Sequence, residues 1–158
     1  MNDWLLLVLL AIAPISELRG SIPYGILKGL PLIPVVAVSI IINALTGIAV
    51  YFFLDRIVKF FFSFGIFKRY YEKIVERSQR KIKGVVDKYG WIGVAIFIGV
   101  PLPFTGAWTG ALGSYLIGLD KKKSVMAIII GVLIAAVIVT VTMLTGVSIF
   151  KNLFIKDI

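Results

Sequence analysis

Two apolar runs in this chain are long enough to cross a bilayer, and two others stop half-way. The first long run covers 32–54, entered through Pro31 and Pro34 and closed by Asp55 and Arg56. The second covers 124–150, between a lysine run and Lys151. A helix needs about 20 apolar residues to cross the hydrocarbon core, and both runs supply them. The short runs, 4–13 and 91–100, are ten residues each. That is about 15 Å of helix, half the thickness of the core. Each short run meets a break and then resumes. Pro14, Gly20 and Pro23 mark the first break, which ends in the apolar stretch 24–30. Pro101, Pro103 and Gly106 mark the second, which resumes as 107–119. Proline removes a helix donor and crowds the preceding turn, so both helices are expected to end there.

The order is therefore broken segment, full span, basic stretch, broken segment, full span. Halves too short to cross predict re-entry rather than passage. The fold expected is an all-α integral membrane protein made of two inverted repeats. Each repeat is a re-entrant helical hairpin plus one full transmembrane helix. A single membrane domain, 1–158, divides into repeat one (1–55), a basic connector (56–88) and repeat two (89–158). Paired Pro/Gly-interrupted segments in two halves point to a transporter binding site. A cleaved signal peptide is not expected, since the first residues carry no Lys or Arg and no small-x-small site follows residue 13.

Charge sets the orientation. Of the seventeen Lys and Arg, ten lie between Arg56 and Lys88, and three more are Lys121, Lys122 and Lys123. Under the positive-inside rule both clusters are expected to be cytoplasmic, in a multi-pass protein of the cell membrane. This clustering also argues against nucleic acid as the partner of a chain with net charge +9. Within the connector, Tyr71, Ile74, Val75, Ser78, Ile82, Val85 and Tyr89 recur at helical spacing. They predict an amphipathic helix on the cytoplasmic interface, in contact with membrane lipids.

The chemistry available is narrow. The chain has no Cys and no His, so thiol chemistry and the usual transition-metal ligands are missing, and no metal or cofactor is expected. Walker A, HExxH and Ser/His patterns are also absent, which argues against an enzyme or an ATP-driven pump. What remains is Glu17 and Arg19, two charges in the first break. Charges at membrane depth cost about 2.5–3.5 kcal/mol each on insertion scales and are usually functional. Glu17 is the expected coupling site for a proton or sodium ion. Arg19 offers a fork for a carboxylate or phosphate. Ser21, Asn43, Thr105, Trp108 and Thr109 complete the expected substrate-binding set. Thr105 and Ser21 are expected N-caps for the half-helices that follow them, each a potential anion site at a free helix start.

The stretches "PISELRGSIPYGI" and "PLPFTGAWTGALG", each followed by a long span, resemble the small multidrug export protein family of archaea and bacteria, a distant relation of the DedA (VTT-domain) membrane proteins. The resemblance implies two re-entrant helices meeting at the membrane centre, often in a homodimer, with proton-coupled transport or lipid handling. DedA proteins are expected to carry arginines at the second break, where this chain has only Thr, Trp and Gly. Only Glu17, Arg19 and the Pro/Gly breaks carry over. The function expected is an ion-coupled secondary transporter or exporter of a small or amphiphilic solute. The alternative is a translocase or scramblase for a phosphate-headed lipid, and a non-transporting scaffold is the third reading.

Overall fold

The computed structural model describes residues 2–62, 86–102 and 105–154, and these are helical with no strand. Asn2 opens α1 (Asp3–Ile12) by accepting a hydrogen bond from the Trp4 amide at 3.2 Å. Pro14 ends that helix. It pushes the residue before it to extended backbone, and Ala13 sits at φ −63°, ψ 131°. After the turn come α2 (Glu17–Leu27) and α3 (Leu32–Phe62). A π-helical turn (Val86–Gly90) leads into α4 (Trp91–Gly99), followed by α5 (Ala107–Leu116) and α6 (Lys121–Phe154).

The helices α1 and α2 fold back on each other. Asp3, at the start of α1, accepts a hydrogen bond from the Tyr24 hydroxyl at 2.6 Å and lies 3.8 Å from Lys28 Nζ, beyond the end of α2. Residues 13–16 form the tip of this hairpin. The second pair, α4 and α5, packs Ile98 against Gly110, where a side chain would find no room.

A single face of α3 records how the hairpins are placed. Val35, Ser39, Asn43, Gly47 and Tyr51 recur every four residues, and all are buried. Val35 meets Gly25, and Ser39 accepts a hydrogen bond from Ser21 at 2.9 Å, so the outer part of α2 lies on the first half of α3. Asn43 donates to the Ala11 carbonyl near the first tip at 3.1 Å. Gly47 lies against Ala107, the first residue of α5. Tyr51 donates to the Leu119 carbonyl beyond the far end of α5 at 3.2 Å. The hairpins thus approach the middle of α3 from opposite ends.

The stretches Leu32–Leu54 and Lys121–Ser148 are long and apolar enough to cross a membrane. Most of each stretch is not buried, with Ile33 and Val137 among the large apolar side chains on the surface, unlike the core helix of a soluble domain. Neighbours are exchanged between halves: α2 packs on α6 as α5 packs on α3.

Several boundaries differ from expectation. Gly20 and Pro23 do not break the chain but lie inside α2. A side chain at Gly20 would collide with Ser16 Oγ, so this glycine serves close approach rather than a turn. Pro23 costs α2 one backbone bond at the Arg19 carbonyl, a loss that packed membrane helices tolerate. The helix α3 runs past Leu54 to Phe62, and Lys121–Lys123 form the first turn of α6 rather than a loop. Lys and Arg are good helix formers, so charge alone does not end a helix. The predicted amphipathic helix lies outside the described residues except for its end at Tyr89, in the π-helical turn.

Candidate functional site at the hairpin tips

Glu17 is the first residue of α2 and is 5% exposed. Its φ of 48° is the one positive value outside glycine among the described residues. Such strain costs about 1–3 kcal/mol and persists where its surroundings enforce it. Here the carboxylate crosses to the second hairpin. It accepts hydrogen bonds from the amides of Ala107 (3.2 Å) and Trp108 (3.1 Å), the first two residues of α5. A helix start leaves such donors unpaired and carries a partial positive charge, and both favour a carboxylate.

Gly106 makes room for this contact. It is the N-cap of α5 at φ 155°, and a Cβ there would collide with the Glu17 carboxylate. Thr105 is therefore not the cap that its sequence position suggests. Its hydroxyl lies 2.7 Å from the Val100 carbonyl and 2.8 Å from that of Leu102, so it closes the end of α4 instead. The Arg19 guanidinium crosses the same gap, donating to the Thr105 carbonyl and, at 2.8 Å, to its hydroxyl. Glu17 and Arg19 thus bind the opposite hairpin side by side.

Trp108 closes the junction from the other direction. Its indole N–H donates to the Ile12 carbonyl, one of the acceptors left free where α1 stops, at 2.9 Å. Glu17, Arg19, Thr105 and Trp108 thus come together by direct contact, as a tip-to-tip junction opposite the middle of α3. Ser21 and Asn43 are drawn into helix packing instead. Ser21 caps no helix, since it lies inside α2 and is fully buried on Ser39. The Thr109 hydroxyl faces the Gly106 carbonyl at 3.4 Å. Pro14 is exposed at the first tip and Pro101 follows α4, while Pro103 lies outside the described residues.

Beside the junction runs an open groove of about 810 Å³, lined by Ile12 and Pro14 of the first tip, by Trp108, Thr109 and Leu112 of α5, and by α3 from Thr46 to Leu54. The sequence reading missed this groove, the Ala107 amide and the Asp3–Tyr24 contact. One signal was available: Glu17, Ser21, Tyr24 and Lys28 are spaced four, three and four apart, one polar face of α2 running from tip to base.

Over residues 17–138 the sequence matches the family described as "Putative small multi-drug export protein". The chain belongs to that family. The match starts at Glu17, takes in both sides of the junction and runs well into α6. No curated protein and no solved structure matches. For a small multi-drug export protein a membrane location is the natural one, and the two long apolar helices agree with it.

Proposed function

We propose that the protein is a secondary exporter of a small or amphiphilic solute, driven by a proton or sodium gradient through Glu17. In this reading the two halves are inverted repeats. Each hairpin enters the membrane from its own face, and the two tips meet half-way. Ten-residue half-helices, hairpins approaching the middle of α3 from opposite ends and a reciprocal set of helix neighbours all support it.

The observation that carries the proposal is the Glu17 carboxylate on the start of α5. An ionised Glu17 fastens the two halves with two charge-assisted hydrogen bonds. Binding a cation removes that negative charge from the positive helix end and weakens the fastening. The halves can then rock about the junction and open the site to the other face. The energy difference between two such arrangements is what a gradient can act on.

Glu17→Gln tests it. In proteoliposomes the variant should lose gradient-driven transport of a hydrophobic test cation while keeping its thermal unfolding midpoint within a few degrees. Transport at the wild-type rate refutes the coupling role. A phosphate-headed lipid remains the second reading. It requires Arg19 to leave Thr105 for the headgroup, and flipping of a labelled lipid that survives in Arg19→Ala rejects it.

A further inference from the structure

The groove beside the junction suggests what is carried and how its carriage is tied to the ion. We infer that this groove binds the apolar body of a drug-sized solute that is neutral or cationic, and that Trp108 links its occupancy to Glu17. This deepens the export reading above and rests on it.

Three features lead there. The volume, about 810 Å³, falls in the range of small-molecule sites. Among the described residues no charged side chain lines it, and the hydroxyls of Thr46 and Thr109 face carbonyls of their own helix, at Ile42 (2.8 Å) and Gly106 (3.4 Å). Recognition by this lining is therefore apolar and aromatic, and Phe53 and Trp108 can attract a cation through their ring faces but not an anion. Its wall also spans the junction, with Ile12 and Pro14 from one hairpin and Trp108 from the other. Trp108 belongs to groove and junction at once. Its ring lines the groove, its indole N–H holds Ile12 and its amide holds Glu17.

The sign of the coupling follows. The groove as seen exists with Glu17 fastened to the start of α5, so a solute filling it stabilises that fastened, ionised arrangement. Protonation of Glu17 frees α5 and dismantles the wall at Trp108. Solute and proton then oppose each other, which is the requirement for export against entering protons. Among the described residues Arg19 is the charged group that acts on Glu17. Tyr51, a titratable side chain inside α3, is turned to the Leu119 carbonyl at the far end of α5, and Asp3 of α1 pairs with Tyr24 and Lys28 at the base of the first hairpin.

The experiment measures binding of tetraphenylphosphonium to the full chain in lipid nanodiscs, with dodecyl phosphate as the anionic comparison. Ala49→Trp, an exposed position that lines the groove without touching the junction, should weaken tetraphenylphosphonium at least tenfold. Wild-type affinity should fall about tenfold on acidification, and Glu17→Gln should abolish that dependence. Dodecyl phosphate should bind more weakly throughout. Binding untouched by Ala49→Trp, or stronger for dodecyl phosphate, overturns the inference and leaves a lipid-facing surface. If Ala49→Trp transports like wild type while Glu17→Gln does not, the groove is wrong and the export reading stands. If instead binding follows the groove but Glu17→Gln transports normally, the solute site stands and the coupling fails.

Discussion

Glu17 and Trp108, 91 positions apart, are joined by a hydrogen bond of 3.1 Å from the Trp108 amide to the Glu17 carboxylate. A helix whose first residue is fully buried needs an acceptor for its first amides, and α5 takes it from the other half of the chain. This exchange makes the two hairpins one unit. Removing the acceptor should therefore be costly. Glu17→Ala strands two shielded amides, and at about 1–3 kcal/mol for each such group it should lower stability by about 2–6 kcal/mol. Glu17→Gly should lose about 1 kcal/mol less, because glycine adopts φ 48° without strain. Thermal unfolding in detergent measures both. Equal losses for the two variants would mean that the left-handed backbone at Glu17 carries no strain.

Gly106 and Gly113 should respond oppositely to the same change. Gly106→Ala puts a methyl group into the Glu17 carboxylate at a backbone angle that alanine rarely adopts. It should unfasten the junction and cost more than about 2 kcal/mol. Gly113, inside α5, has open space around it, and Gly113→Ala should stabilise by about 0.5–1 kcal/mol. If Gly113→Ala proves destabilising, that face of α5 is covered by something the isolated chain lacks, such as a second copy.

Asn43 should matter for packing whether or not solute is carried. It is 1% exposed and satisfies the Ala11 carbonyl just before α1 ends. Asn43→Leu should cost about 1–3 kcal/mol, the penalty for leaving that carbonyl unpaired. Ser21→Ala and Ser39→Ala should each cost less, and their double variant should show a coupling of about 0.5–1.5 kcal/mol. No coupling between the serines would mean their hydroxyls find other partners.

How far the sequence could be read depended on the range of each interaction. The lengths of the apolar runs and the breaks at Pro14 and Pro101 act locally, and they foretold the half-helices. The charges of Glu17 and Arg19 marked the junction because a buried charge requires a partner. Thr105 shows the limit. It has the residue type of an N-cap in the right place, and an acceptor from the other half displaced it. Nothing within α5 could reveal that Glu17 would come to it. Gly20 misled for a similar reason, since tight packing on Ser16 and a turn both select glycine.

The sides of the membrane reached by Lys28 and Asp120 test the inverted arrangement itself. Lys28 follows α2 at the base of the first hairpin, and Asp120 follows α5 at the base of the second. If both hairpins are re-entrant, the first returns to the face from which it entered and α3 carries the chain across, so the two positions lie on opposite faces. If both broken segments cross fully, each long helix adds a second crossing and the two positions lie on the same face. The chain has no cysteine, so Lys28→Cys and Asp120→Cys each introduce a single thiol. Both residues are exposed, so neither change should disturb the core. In sealed vesicles of one orientation, an impermeant maleimide should label one variant from outside and the other only after the vesicles are opened. Labelling of both from the same side would reject the re-entrant arrangement, and with it the picture of two tips meeting at mid-membrane.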